Sequence, residues 1–174
     1  APNGKILILL GRLMFMEIDY GDLVKRWDEG VKSLINTEGV EQTCLWLGYG
    51  ILRQFERIKN ATEEFINWLG LVYRIFLKEG KTPAFYIEQL NKAKDVLIEN
   101  TYITKAMMEI SDKYCKSCFT SSHMGHLDRI LEIFREYNVE EILHLRPLWD
   151  ELKQLADHVH GSAPSVFTCP RKED

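Results

Sequence analysis

Residues Thr62–Glu79 read TEEFINWLGLVYRIFLKE, and the placement of their apolar side chains decides the fold. Phe65, Ile66, Trp68, Leu69, Leu71, Val72, Tyr73, Ile75, Phe76 and Leu77 cover nearly the whole circumference of a helix instead of one stripe. A helix that is apolar all round needs neighbours on every side, so this segment is expected at the centre of a bundle. Gly80 is placed to close it.

Working outward, Leu23, Trp27, Val31 and Leu34 form one helical stripe, with Asp22 as its expected cap. Gly39 separates that helix from the next, where Leu45, Leu52 and Phe55 share a face. Asn60 is expected to end that second helix and Thr62 to cap the central one, with Glu63 and Glu64 in its first turn. Asn60-Ala61-Thr62 also fits the acceptor pattern for N-linked glycosylation, a reading set below the helix boundary.

Downstream, Thr82-Pro83 opens a helix carrying Tyr86, Leu90, Ala93 and Leu97. Asn100-Thr101 is expected to interrupt it, because both side chains compete with the backbone for hydrogen bonds. The pattern resumes with Ile103, Met107, Ile110 and Tyr114. Ser121 or Ser122 then caps a helix bearing Leu127, Ile130, Leu131 and Phe134. Pro147 breaks the last helical region, in which Leu148, Leu152, Leu155 and Val159 run to Gly161.

No run alternates strictly enough for a strand, although KILILL at Lys5–Leu10 reads either way. The expectation is all-α: a single-domain bundle of about six to eight helices over residues 1–161, arranged around Thr62–Glu79. A loosely ordered tail, 162–174, follows. Trp27, Trp46, Trp68 and Trp149 are read as lying on separate helices, each within an apolar face, so core packing is expected of them. Large rings around an apolar helix could also line a cavity for an apolar ligand.

With 174 residues, 45% of them hydrophobic and 28% charged, the chain can bury one continuous core without disorder or membrane immersion. The net charge of -4 offers nucleic acid no bulk attraction, so no nucleic-acid partner is expected. The apolar run Ile6–Leu10 is too short to span a bilayer, and it lacks a signal-peptide cleavage pattern. An Ala at position 1 fits a processed start, an excised fragment or a secreted mature form. Ile6–Ile18 is the expected self-association surface if it does not fold onto the core.

KYCKSCFTSSHMGH, from Lys113 to His126, is the stretch where chemistry could be written in. Cys115 and Cys118 at C-x-x-C spacing, followed by His123 and His126, supply two thiolates and two imidazoles, a donor set suited to tetrahedral zinc. The spacing follows a zinc knuckle for three ligands and then departs from it, since a knuckle ends in cysteine. Two small hydrophobes at a helix end and a pair of first-turn histidines account for the same residues. A redox role is opposed by the helix C-terminus, whose dipole disfavours a thiolate. A third reading pairs Cys115 or Cys118 with Cys44 or Cys169 as a disulfide in a secreted, cytokine-like bundle. In Asp157-His158-Val159-His160, alternate positions on a helix diverge too far for both imidazoles to hold one metal.

Motifs for nucleophilic, phosphate-binding or metalloprotease chemistry do not occur, and Gly48-Tyr49-Gly50 reads as helix glycines admitting a neighbour's bulky ring. Over the final third, FTSSH followed by Leu127, Ile130, Leu131 and Phe134 resembles the TIPE family of helical lipid-binding proteins. The likeness covers a minority of the chain and slips by one residue in register. It implies an apolar-ligand or lipid carrier, without assigning the family. The leading expectation is a non-enzymatic interaction module: an adaptor, assembly subunit or inhibitor, whose partner is another protein or a second copy. The apolar-ligand carrier, a zinc-stabilised module and the secreted cytokine-like bundle stand as alternatives. The expected location is cytoplasmic or nuclear, or secreted on the last alternative.

Overall fold

Gly39 adopts a φ of 88°, a backbone region that side-chain-bearing residues rarely enter, and it alone joins the first two helices. The computed structural model describes residues 18–116 and 119–161. Among them it contains six helices: α1 (Tyr20–Glu38), α2 (Val40–Glu79), α3 (Ala84–Tyr114), α4 (Ser121–Glu136), α5 (Val139–Leu143) and α6 (Arg146–Gly161). The helices form one all-α domain, as the periodicity predicts. The apolar N-terminal stretch, Cys118 and the tail 162–174 lie outside the described residues.

The expected break at Asn60–Thr62 is absent. Helix α2 runs for 40 residues, about 60 Å, with Thr62–Glu79 as its C-terminal half. Starting from Cys44, the core-facing residues Gly48, Ile51, Phe55, Ile58, Thr62, Phe65, Leu69 and Val72 recur at alternating steps of four and three. That repeat continues one seam through the Asn-Ala-Thr sequence, and a helix with its seam intact has no reason to end. The Thr62 hydroxyl donates to the Ile58 carbonyl at 2.7 Å, which satisfies it inside the helix.

The expected interruption at Asn100–Thr101 is absent for the same reason. Helix α3 runs unbroken for 31 residues, and the Thr101 hydroxyl donates to the Leu97 carbonyl at 2.7 Å. The caps also shift. Asp19, in place of Asp22, accepts the first-turn N–H of α1, Pro83 precedes α3, and Thr120, one residue before Ser121, caps α4.

Helices α2 and α3 pack antiparallel along most of their length and form the spine of the domain. A disulfide joins Cys44 near the start of α2 to Cys115 at the end of α3, with Cα atoms 5.7 Å apart. Further along, a Cβ built on Gly50 would stand 2.8 Å from the Met107 methyl, so the glycine admits a flexible methionine where a bulky ring was expected. Deeper still, buried Gln54 donates to Asn100 Oδ1 at 3.2 Å and accepts from Arg57 at 2.9 Å. Helix α6 lies along α2, α1 against α3, and α4 between α3 and α6. Phe65, Leu69 and Val72 are buried, as expected of the central segment, whereas Leu71 and Leu77 on its outer side remain 40% and 65% exposed.

The outer helices are fastened by pairs that cross elements. Asp28 on α1 accepts from Lys113 Nζ at 2.8 Å and from the Tyr114 hydroxyl, and these donors hold its carboxyl below the usual carboxylate range. The Arg129 guanidinium of α4 grips Glu151 of α6 through two bonds of 2.7 and 3.0 Å. Trp149 is buried and donates its indole N–H to the Ile142 carbonyl at 2.7 Å, tying α6 to α5.

The cross-link spans 71 residues of sequence, so opening it should free the unfolded chain by roughly 4 kcal/mol. The double variant Cys44→Ala/Cys115→Ala is expected to lose stability of that order in urea unfolding against the oxidised parent. An unchanged midpoint would show that the bond does not restrain the unfolded ensemble.

Candidate binding surface

The seam of α2 also determines which of its residues cannot be core. Trp46, Tyr49 and Arg53 fall outside the phase set by Cys44, Gly48, Ile51 and Phe55, and at i, i+3 and i+7 they share one side of the helix. That side faces solvent: Trp46 is 47% exposed and Tyr49 38%. Core packing was expected of all four tryptophans. Trp149 fulfils it, Trp27 and Trp68 are half-buried, and Trp46 does not. Trp46 and Trp68, moreover, share α2 and do not sit on separate helices.

Tyr49 and Arg53 border an open cleft of about 410 Å³ that is also lined by Leu52, Phe55, Glu56 and His160. Phe55 is itself buried, and its ring stacks on the His123 ring at 5.4 Å and meets the edge of Phe119 at 5.5 Å. Three elements therefore meet beside the stripe: α2, the segment entering α4, and the end of α6. The disulfide lies two residues before Trp46 and fixes this end of α2 against α3.

The residues proposed as metal ligands are placed individually. The Cys115 sulfur is bonded to Cys44, so it offers no thiolate unless the chain is reduced. Cys118 lies outside the described residues. His123 is buried, and its Nδ1 accepts the Thr120 N–H at 3.0 Å, closing a reciprocal cap at the start of α4. His126 turns toward α6 instead, with its ring 5.5 Å from that of His158. The i, i+3 spacing that could aim both imidazoles one way thus sends one to Phe55 on α2 and the other to His158. His158 and His160 diverge as their spacing predicts, His160 lining the cleft. Among the described residues no three metal-binding side chains converge.

The stripe was legible in principle. Had the four-three repeat been followed from Cys44, Trp46 would have stood out as an aromatic on the solvent side. The cleft was not legible, because it depends on where α6 ends relative to α2.

Burial lowers the His126 pKa, and the neighbouring His158 and His123 lower it further. The unfolded chain therefore takes up this proton more readily than the folded one, and its contribution to stability is lost as pH falls through the ordinary imidazole range. Between about pH 7.5 and about pH 5.5, His126→Gln should lose less of its melting temperature than the parent does. Equal losses would remove His126 from the acid response.

Neither a protein-family model, a curated protein nor a solved structure matches the chain. The resemblance of FTSSH to the TIPE family thus rests on those residues and the stripe that follows, and Thr120 and His123 have a local task there as the two halves of a helix cap.

Proposed function

We propose that this chain is a non-enzymatic protein ligand of an oxidising, extracytoplasmic compartment, which binds a partner protein through the Trp46–Tyr49–Arg53 end of α2. One observation carries the reading: two large aromatics and an arginine stand in line on the solvent side of a helix that is stapled next to them. Trp, Tyr and Arg are the residues most enriched where binding energy concentrates, because they bury much area and lose little side-chain freedom. The partner this chemistry fits offers an apolar pocket for the indole and a carboxylate for Arg53, with Glu56 and Arg57 at the polar rim.

The disulfide supports the choice of compartment. Such bonds persist where glutathione and thioredoxin do not reduce them, in secreted and extracellular chains above all. This favours the cytokine-like alternative over a cytoplasmic adaptor. It also weighs against a zinc-stabilised module, which would need Cys115 reduced. An apolar carrier is less well supported by the cleft, whose lining includes Arg53, Glu56 and His160 and which opens to solvent. Among the described residues no helix is long and apolar enough to cross a membrane.

The test is saturable binding of the labelled, oxidised chain to a panel of intact cells, competed by unlabelled variants. Trp46→Ala and Arg53→Ala should each compete at least tenfold less well than the parent, at unchanged melting temperature, since neither side chain supports the core. Variants that compete as the parent does would overturn the reading. A second copy as the partner would appear as a concentration-dependent dimer in sedimentation equilibrium, abolished by Trp46→Ala.

A further inference from the structure

We infer that Asn60 carries an N-linked glycan, added before α2 folds, and that this glycan bounds the docking surface on α2. The inference rests on the extracytoplasmic reading above. Asn60-Ala61-Thr62 is the one Asn-x-Ser/Thr sequence with a non-proline centre in the chain. Its three residues take different sides of the helix: Ala61 and Thr62 lie on the buried seam, and Asn60 faces solvent among exposed Glu56, Arg57, Glu63, Glu64 and Asn67. This stretch of α2 is polar and uncovered, so a bulky sugar on it displaces no packed side chain.

The folded state also sets when the sugar could be added. Recognition of the acceptor needs the threonine hydroxyl, yet Thr62 as a residue is only 1% exposed and its hydroxyl donates to the Ile58 carbonyl at 2.7 Å. The transfer therefore belongs to the extended chain entering the secretory pathway. There the Asn60 amide nitrogen forms a bond to the anomeric carbon of a lipid-diphosphate-linked oligosaccharide. The carbon–oxygen bond to the lipid diphosphate breaks, the diphosphate leaves with the electron pair, and one amide proton is released. Once α2 is formed and packed, the hydroxyl is sealed and an unmodified Asn60 stays unmodified.

The position has a consequence for binding. Asn60 is seven residues beyond Arg53 and fourteen beyond Trp46, which along a helix is about 10 and about 20 Å. It shares the outer side of α2 with both. A glycan there covers the polar middle of the helix and leaves the Trp46–Arg53 end open, so a partner must approach from the N-terminal half of α2.

The experiment secretes the full chain from a eukaryotic host behind a cleavable leader and maps it by mass spectrometry, with and without peptide N-glycosidase. One glycan is expected, at Asn60, converted to Asp on enzymatic release. Asn60→Gln and Thr62→Val should abolish it, and Thr62→Ser, which keeps the acceptor sequence, should retain it. The purified, unglycosylated folded chain should resist modification by oligosaccharyltransferase in vitro, and the urea-unfolded, reduced chain should accept it. Protein retained in the cell is mapped in the same way, so a secretion defect in a variant does not obscure the result. A bare Asn60 with an intact Cys44–Cys115 bond overturns the glycan alone, whereas a chain that lacks the bond overturns the compartment on which it rests.

Discussion

The Cys44–Cys115 bond fixes the register in which the two longest helices meet, and the rest of the domain is built on that pairing. Two noncovalent contacts agree with it. Proceeding up α2 and down α3, the cross-link is followed by the Gly50–Met107 approach and then by Gln54 with Asn100 and Thr104. The three act by different physics. The disulfide removes conformations from the unfolded chain, the glycine leaves room for the end of the Met107 side chain, and the buried amide penalises any slip that would strand it without partners. A shift of one residue along the seam would leave Gln54 buried among apolar side chains and place Gly50 opposite a different neighbour. The register is thus specified at several depths along the interface.

With the spine fixed, the shorter helices need little intrinsic stability. Helix α5 has five residues, too few to persist alone, and it is held by the Asn138–Glu141 cap and by the Trp149 indole reaching the Ile142 carbonyl. Helix α4 is positioned at its start and at its middle. At its start Thr120 and His123 satisfy each other's backbone and side-chain groups while His123 lies flat on Phe55; further along, Arg129 grips Glu151. Polar groups here decide where an element sits, and the apolar seam supplies most of the free energy that keeps it there.

The fold class was legible because apolar spacing at three and four residues dominates the chain. The continuity of α2 and α3 was not, since the local propensity of threonine and asparagine points to a helix end. At Thr62 and Thr101 the competing hydrogen bond goes to a carbonyl of the same helix, so a side chain that can end a helix instead serves one that packing requires. The cysteine arithmetic left several pairings open, because residues 71 apart become neighbours only when two long helices fold back on each other. For the same reason His123 and His126 do not converge on a metal: their spacing places them on one helix, and their ring partners lie on α2 and α6.

A long helix with a strict seam divides its residues between two tasks. Everything in phase with Cys44 is committed to the core, and everything out of phase is released from it. On α2 the released side is not uniform. It begins with Trp46, Tyr49 and Arg53, passes through a charged stretch around Asn60, and turns apolar again at Leu71. Exposure of a tryptophan carries a hydration cost that packing could have removed, for instance by exchange with a neighbouring polar residue. The disulfide sits at the same end, where it limits fraying of the first turns of α2 and so keeps the stripe's geometry fixed. Preorganisation of this kind lowers the entropy lost on binding. The bond that sets the register of the core therefore also holds the exposed end of α2, the surface that the proposed interaction uses.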